Sequence, residues 1–475
     1  MKVVRNYLYS VGYQILAIIV PLITSYYVSR VLRPEGVGAN AFTNSIIQYF
    51  VLLANMGIGF YGNREIAYVR DDITKLKKTF LEIQFIKTFM TIVSYVFFLI
   101  FMFFYERNRV YMWAQSINLL AVAFDISWFY QGIEDFKKTV LKNSLVKIIS
   151  TILIFVFIKN ASDVTIYIIL LAISTLLGNL TLWPGLRKIL GNVYIGKLLP
   201  WRHFFPMLSM FVPQIAVQIY VQLNRTMLGI MVSEKASGFY QYSDGLVKLV
   251  LALVTSAGTV MLPHVANALA NGDKDSVDLM MYKSFDFVSA ITIPMAFGLA
   301  AISHDLAPLY YGKGYEPVGT AMMIESVIVI LIGWSNVIGI QYLLPADRVK
   351  EYTVSVTLGS IVNIILNIPL IYFLGLNGAM ISTICSEVTV TGYQLLAVKR
   401  NFYFNKLFKD LWKYLLSAFV MFVTICLLRS ILKATWVSLL LEVTTGVVSY
   451  LILIILLRTR VISNGKELIR SRGKL

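Results

Sequence analysis

Charge is what this chain has least of. Only 14% of its 475 residues are Asp, Glu, Lys or Arg, where a soluble domain carries about 25%. Another 58% are hydrophobic, and the mean hydropathy is +0.72. That excludes a soluble globular protein and leaves a polytopic membrane protein. Cysteine is nearly absent as well. Cys385 and Cys426 each lie in an apolar run, so neither a disulfide framework nor paired metal-ligand spacing exists. Three scattered histidines, His203, His264 and His304, argue against a histidine metal site. No phosphate-binding glycine-rich loop ending in Lys-Ser or Lys-Thr occurs, so direct use of ATP is not expected. No cleavable signal peptide is expected either, because the first apolar run continues for about twenty-five residues without a small-residue cleavage site. Acids are outnumbered by bases, 25 to 42, for a net charge of +17. The bases sit between apolar spans, where topology and anionic lipid account for them better than nucleic acid does.

What is present is a series of apolar runs. About 20 apolar residues cross a hydrocarbon core of about 30 Å. Fourteen such spans are read at 8–30, 39–60, 80–104, 110–130, 143–159, 164–184, 207–232, 239–262, 285–305, 318–342, 353–374, 378–398, 412–432 and 437–457. Connections are short, so no soluble domain is expected on either side. With the N-terminus inside, the inward segments hold 30 Lys and Arg and the outward segments 9. That bias predicts a multi-pass protein with both termini in the cytoplasm and an even number of spans.

The fold expected is all-α, with two six-helix lobes in parallel pseudo-repeat, 1–206 and 207–411, and an appended helix pair with a basic tail, 412–475. The repeat shows weakly as PEGVGANAF around Gly38 and EKASGFYQY around Gly238, each an outward turn followed by a polar-faced helix. Parallel repeats of this kind place a site at the repeat interface.

Polar stripes converge on that expectation. Gln214, Gln218, Gln222 and Arg225 recur at steps of four, four and three, which puts them on one side of span seven. Asp244 and Lys248 share a face of span eight with Thr255 and Thr259. Asn40, Asn44, Gln48 and Asn55 line one face of span two, and Gln14 lies on the polar arc of span one. Buried Arg or Lys costs about 2.5–3.5 kcal/mol in hydrocarbon, so Arg225 and Lys248 are expected to face water, protein or a charged ligand in a cationic cavity. Each has an alternative. Lys248 can pair with Asp244 one turn earlier, Arg225 can snorkel to the outer interface, and any single amide can act as interhelical glue worth about 0.6 kcal/mol. Arg30 and Arg33 read as outward rim charges, with Arg30 a candidate guard of the outer mouth. Arg64 reads as an inner topology charge and a candidate portal, and Lys87 as a snorkelling cation. Pro21, Pro213, Pro294 and Pro369 lie inside spans and permit bending.

Intramembrane acids are Asp125, Asp244, Asp286, Glu325, Glu387 and Glu442. Asp125 and Glu325 occupy equivalent spans, four and ten, and are the pair singled out for coupling to a Na⁺ or H⁺ gradient. Partnering of these acids with hydroxyls or amides is the competing reading. No resident cofactor or metal is expected.

Residues 31–67, VLRPEGVGANAFTNSIIQYFVLLANMGIGFYGNREIA, together with NRTMLG at 224–229, SGFYQYSDGLVKLV at 237–250 and NIILNIPLIYFLGLNGAMISTICSE at 363–387, resemble the Wzx-type lipid-linked polysaccharide flippases. These move O-antigen or capsule repeat units and belong to the multidrug/oligosaccharidyl-lipid/polysaccharide exporter superfamily. The resemblance runs the length of the chain and implies two lobes that open alternately inward and outward in a bacterial plasma membrane. It implies as cargo an undecaprenyl-pyrophosphate-linked oligosaccharide, and as partners the polysaccharide polymerase and glycosyltransferases. It also implies a flippase rather than an enzyme. Cationic cavity residues are part of the resemblance, and Arg225 and Lys248 are the positions that suit them. A multidrug/cation antiporter of the same superfamily is the main rival, disfavoured by two cations against one acid in the central hairpin. A polyprenol-dependent glycosyltransferase or polymerase would need acids on a large outward loop, and 305–317 is too short for one.

Overall fold

A computed structural model describes the backbone of residues 2–191 and 196–463, and the side chains of all of these except 2–15, 17, 136–137, 212–217, 219–221, 253–260 and 262. Among the described residues there is no strand. A backbone in hydrocarbon must satisfy its own hydrogen bonds, which long helices do within one segment.

The helices are α1 Lys2–Asn55, α2 Ile58–Val69, α3 Ile73–Phe104, α4 Arg109–Phe124, α5 Ser127–Gly132, α6 Phe136–Phe157, α7 Val164–Leu180, α8 Trp183–Leu190, α9 Phe204–Met231, α10 Glu234–Ala270, α11 Lys274–Tyr311, α12 Glu316–Glu325, α13 Ile328–Ser335, α14 Val349–Leu374, α15 Leu376–Val398, α16 Phe404–Leu407, α17 Leu411–Ile431 and α18 Trp436–Leu456. Helix lies over every expected span. Eight segments among the described residues are long and apolar enough to cross a membrane. There are nine if Glu316–Glu325 and Ile328–Leu343, bent 41° to each other, count as one. The backbone is helical over the other expected spans as well.

Local chemistry sets the breaks. α1 is two helical arms joined at Arg33, whose φ of 59° lies in the left-handed region; the Pro34 that follows disfavours helical backbone at Arg33. Asp72 accepts the N–H groups of Thr74 and Lys75, both at 3.0 Å, to cap α3. Those donors hold its carboxyl below the ordinary range. Asp273 caps α11 through Ser276 N–H, and Thr435 with Ser438 forms a reciprocal box at α18.

The chain divides into two compact units, Met1–Gly238 and Phe239–Leu475. The division falls later than the expected 206, so α9 packs in the first unit. Thr226 bonds Ser45 Oγ at 2.9 Å and Tyr49 Oη at 3.1 Å, and Gly229 admits the ring of Phe42. The first unit's core runs from Phe80, Trp128 and Phe129 to Met207 and Phe211. A second cluster gathers Phe42, Ile47, Phe98 and Met112. In the second unit, α17 and α18 pack on α11 through Tyr414, Ala418, Met421 and Tyr450 against Ala290 and Ile293. Tyr450 Oη donates to the Ala290 carbonyl at 2.7 Å and Tyr414 Oη to Asp286 at 3.0 Å. The appended hairpin is therefore an integral part of the second unit.

Candidate transport site

Within the first unit, α1, α2 and α9 enclose a cavity of about 340 Å³, lined by Gln48, Tyr49, Asn55, Phe60, Gln218 and Gln222 among others. Two expected stripes meet here, one from span two and one from span seven. Gln222 Oε1 is buried and has no hydrogen-bond partner among the described residues, so the pocket holds an unmet acceptor. Arg225, three residues on, is half-buried. Gln14 and Gln214 lie outside the described residues, as do Thr255 and Thr259.

Asn40 and Asn44 are placed differently. Gln115 Nε2 donates to Asn40 Oδ1 at 3.1 Å, and Asn44 Nδ2 donates to Gln115 Oε1 at 3.3 Å. Both tie α1 to α4, the glue alternative, and neither lines the cavity just described.

Gln48 and Asn55 also line a second cavity of about 310 Å³, with Asn118, Asp125, Ser127, Lys142, Asn143, Thr175 and Asn179. Asp125 accepts Ser127 N–H at 3.0 Å and Ser127 Oγ–H at 2.6 Å. Its carboxylate lies 3.8 Å from Lys87 Nζ, which also donates to the Asp125 carbonyl. Lys87 therefore does not snorkel: it is 1% exposed, because a partner inside the unit replaces the water it would otherwise seek. Lys142 donates to Asn179 Oδ1 at 2.7 Å. Neither Lys142 nor Asn179 stands out in the sequence, since a lysine just before an expected span at 143 reads as a topology charge. α6 begins at Phe136 and carries Lys142 into the wall.

In the second unit, Lys248 Nζ lies 2.8 Å from Asp244 Oδ1 and the pair is intrahelical. Lys248 is 46% exposed and Asp244 5%. Fully buried Glu325 accepts Ser243 Oγ–H at 2.7 Å, with Asp244 beside it. Glu325 ends α12, immediately before the 41° bend; broken helices of this kind mark binding sites in transporters. Asp125 and Glu325 belong to different units; Asp125 is bonded locally, whereas only one oxygen of Glu325 is bonded, its Oε1 being buried with no hydrogen-bond partner among the described residues.

The rim candidates are anchored. Arg30 folds over the Tyr26 ring at 3.7 Å and donates to the Tyr26 carbonyl, and Arg64 pairs with Glu65 at 2.8 Å. One network was not legible. Glu82, fully buried, meets Arg202 at 2.6 Å, His203 Nε2 at 2.9 Å and Leu199 N–H at 2.8 Å. His203 Nδ1 in turn meets Tyr61 Oη at 2.7 Å. An isolated His-Glu pair 121 residues apart leaves no local sequence signal.

Comparison with known proteins follows the same lines. Residues 3–268 match the family described as Polysaccharide biosynthesis protein, and residues 140–445 match Lipid II flippase MurJ. The chain is 23% identical over 405 residues to the "Putative O-antigen transporter" of Escherichia coli (strain K12), covering 84% of this chain and 97% of that one. To the protein of the same name in Shigella dysenteriae it is 22% identical, covering 80% and 96%. Among solved structures, Lipid II flippase MurJ in an inward closed conformation superposes with a TM-score of 0.72 at 18% identity, over 95% of this chain and 99% of that one. An inward-facing MATE family multidrug transporter gives 0.63 at 13%, over 80% and 94%. These likenesses show a shared all-helical fold, and the match over more than half the chain shows descent: this protein belongs to the polysaccharide biosynthesis protein family, as a Wzx-type flippase of the multidrug/oligosaccharidyl-lipid/polysaccharide exporter superfamily.

Proposed function

We propose that the chain carries undecaprenyl-pyrophosphate-linked oligosaccharide repeat units from the inner to the outer leaflet of the bacterial plasma membrane. The product serves capsule or another surface polysaccharide. Transport proceeds by alternating access in a fourteen-span protein with both termini in the cytoplasm. The observation that carries this reading is the meeting of Gln48 and Asn55 with Gln218 and Gln222 around one cavity. Amides offer both donors and acceptors to sugar hydroxyls. A pyrophosphate cannot cross hydrocarbon unaided. Arg225 supplies a planar fork that matches its oxygens. Lys248, neutralised by Asp244, contributes less than Arg225. Polymerase and glycosyltransferases are the partners that the cargo requires. Coupling to an H⁺ or Na⁺ gradient is assigned to Asp125 and Glu325, with the bend after Glu325 supporting the latter.

The test is flipping of a fluorescent undecaprenyl-pyrophosphate oligosaccharide in reconstituted vesicles. Loss of one charge-assisted contact of about 1.5–3 kcal/mol predicts that Arg225→Ala slows flipping about tenfold or more, while Arg225→Lys keeps part of the rate. Wild-type rates from the alanine variant would remove Arg225 from the site. Competition by cationic amphiphiles, without flipping of the oligosaccharide lipid, would instead favour the antiporter reading.

A further inference from the structure

α6 and α7 meet where Gly178 admits Val146 and Lys142 donates to Asn179 at 2.7 Å, but they leave a channel beside that contact. Between them runs a groove of about 750 Å³ whose walls are almost wholly aliphatic, including Leu145, Ile149 and Leu153 of α6 and Ile166, Ile173 and Leu177 of α7. It extends from Lys138 to Phe157; at 1.5 Å per residue that is about 28 Å, close to the hydrocarbon thickness of about 30 Å. Only 11% of the apolar window of α6 is buried. The corresponding pair in the second unit is packed tight. Gly378 takes the Leu370 backbone, Ser386 Oγ donates to the Gly359 carbonyl at 2.8 Å, and Asn363 Nδ2 donates to Ser382 Oγ at 3.2 Å. Small residues permit that approach.

Its basic end is the informative part. Lys142 lines both the groove and the polar cavity that holds Asn55, Asn118, Asn143 and Asn179. Its amine is held by a neutral amide, Asn179, at 2.7 Å. The acid of that cavity, Asp125, is matched by buried Lys87 at 3.8 Å. Lys138, at the same end, pairs with Asp135 at 3.1 Å and lies 4.9 Å from the Tyr130 ring centre. One positive charge is left over at the junction of an amide-lined cavity and an aliphatic channel.

We propose that this junction binds an anionic polyprenyl-phosphate lipid, with its phosphate at Lys142 and its isoprenoid chain in the α6–α7 groove. The amides behind Lys142 favour a headgroup rich in hydroxyls over that of an ordinary phospholipid. The choice of lipid class rests on the flipping function proposed above; the existence of the site does not.

The test uses the purified full-length protein and undecaprenyl phosphate bearing a diazirine on its chain. Photolabel is expected on peptides from α6 and α7. It should fall about tenfold in Lys142→Gln, the loss of one charge-assisted contact of about 1.5 kcal/mol. It should also fall in Ile149→Trp, which fills the groove from a half-exposed position. Unlabelled undecaprenyl phosphate should compete, and phosphatidylglycerol at the same concentration should not. Label elsewhere in the chain, wild-type labelling in both groove variants, or equal competition by phosphatidylglycerol would each overturn the proposal. The last result would mark a contact with bulk lipid. Should a variant not purify as a single species, peptide mapping and competition on the wild type decide alone. A chain that binds here but does not flip oligosaccharide keeps this site and loses the transport reading; one that flips without labelling here does the reverse.

Discussion

Asp244 and Lys248 show how far a single side chain can be read from spacing. Four residues apart on one helix, they pair at 2.8 Å, with the acid buried and the lysine half-exposed. Glu325 lies against the acid, so removing Lys248 alone leaves two neighbouring carboxyl groups without their cation. Breaking such a pair from one side costs more than removing both members. Lys248→Ala should therefore be the least stable variant in thermal unfolding of the solubilised protein, and Asp244→Ala with Lys248→Ala should recover part of the loss. A double variant less stable than either single one would contradict the pairing. Gly38 carries a second prediction at this scale. A Cβ on Gly238 would lie 2.9 Å from Gly38 Cα, and one on Gly38 would meet the Glu234 backbone. Glu35–Lys235 at 2.6 Å and Arg107–Glu234 at 2.7 Å flank the contact. Gly38→Ala should cost about 1–3 kcal/mol through overpacking, read as a lowered unfolding midpoint.

At the scale of elements, the segment before α9 is pinned to α3 by one carboxylate. Glu82 accepts from Leu199, Arg202 and His203 at once, and losing its charge leaves the Arg202 and His203 donors poorly matched. Glu82→Gln should lower the unfolding midpoint, with an order-of-magnitude cost of about 3 kcal/mol for a broken buried pair. Limited proteolysis should cut near 196–203 faster than in wild type. An unchanged cleavage rate would mean that apolar packing of Met207 and Phe211 holds the segment instead.

Such long-range ties also explain what was legible. Helix positions follow from apolar runs, which any window of 20 residues reveals, and the Gln48 and Gln222 stripes follow from periods of three and four, although their sharing of one cavity within the first unit does not. The roles of Lys87, Lys142 and Asn179 depend on partners tens of residues away, and a lysine near a span end looks the same whether it reaches for water or for a buried carbonyl. The NIILNIPLIYFLGLNGAMISTICSE stretch, one of the pieces that support the family resemblance, is largely packing: Asn363 and Asn367 are fully buried and bonded to each other at 2.9 Å.

For the whole molecule, orientation turns on the parity of spans, and the helices outside the eight long apolar segments decide it. α4, only 16 residues long, and α15 are not among those eight, yet each must cross for the charge bias of 30 inward to 9 outward to hold. A single non-crossing helix would invert every loop after it and place the basic 399–413 segment outside. The expectation is concrete. In intact cells of a variant with Cys385 and Cys426 replaced by Ala, Lys313→Cys should react with a membrane-impermeant maleimide, and Lys409→Cys should react only after permeabilisation. Both sites lie in short exposed connections, so access is set by the side of the membrane rather than by burial. Reaction at both positions would mean an even number of crossings between 313 and 409 in place of the expected three, and reversed reactivity an error before 313. Either result would leave α6 beginning at a different membrane face or α12 to α15 miscounted, and would move the expected loading side of Arg225 with it.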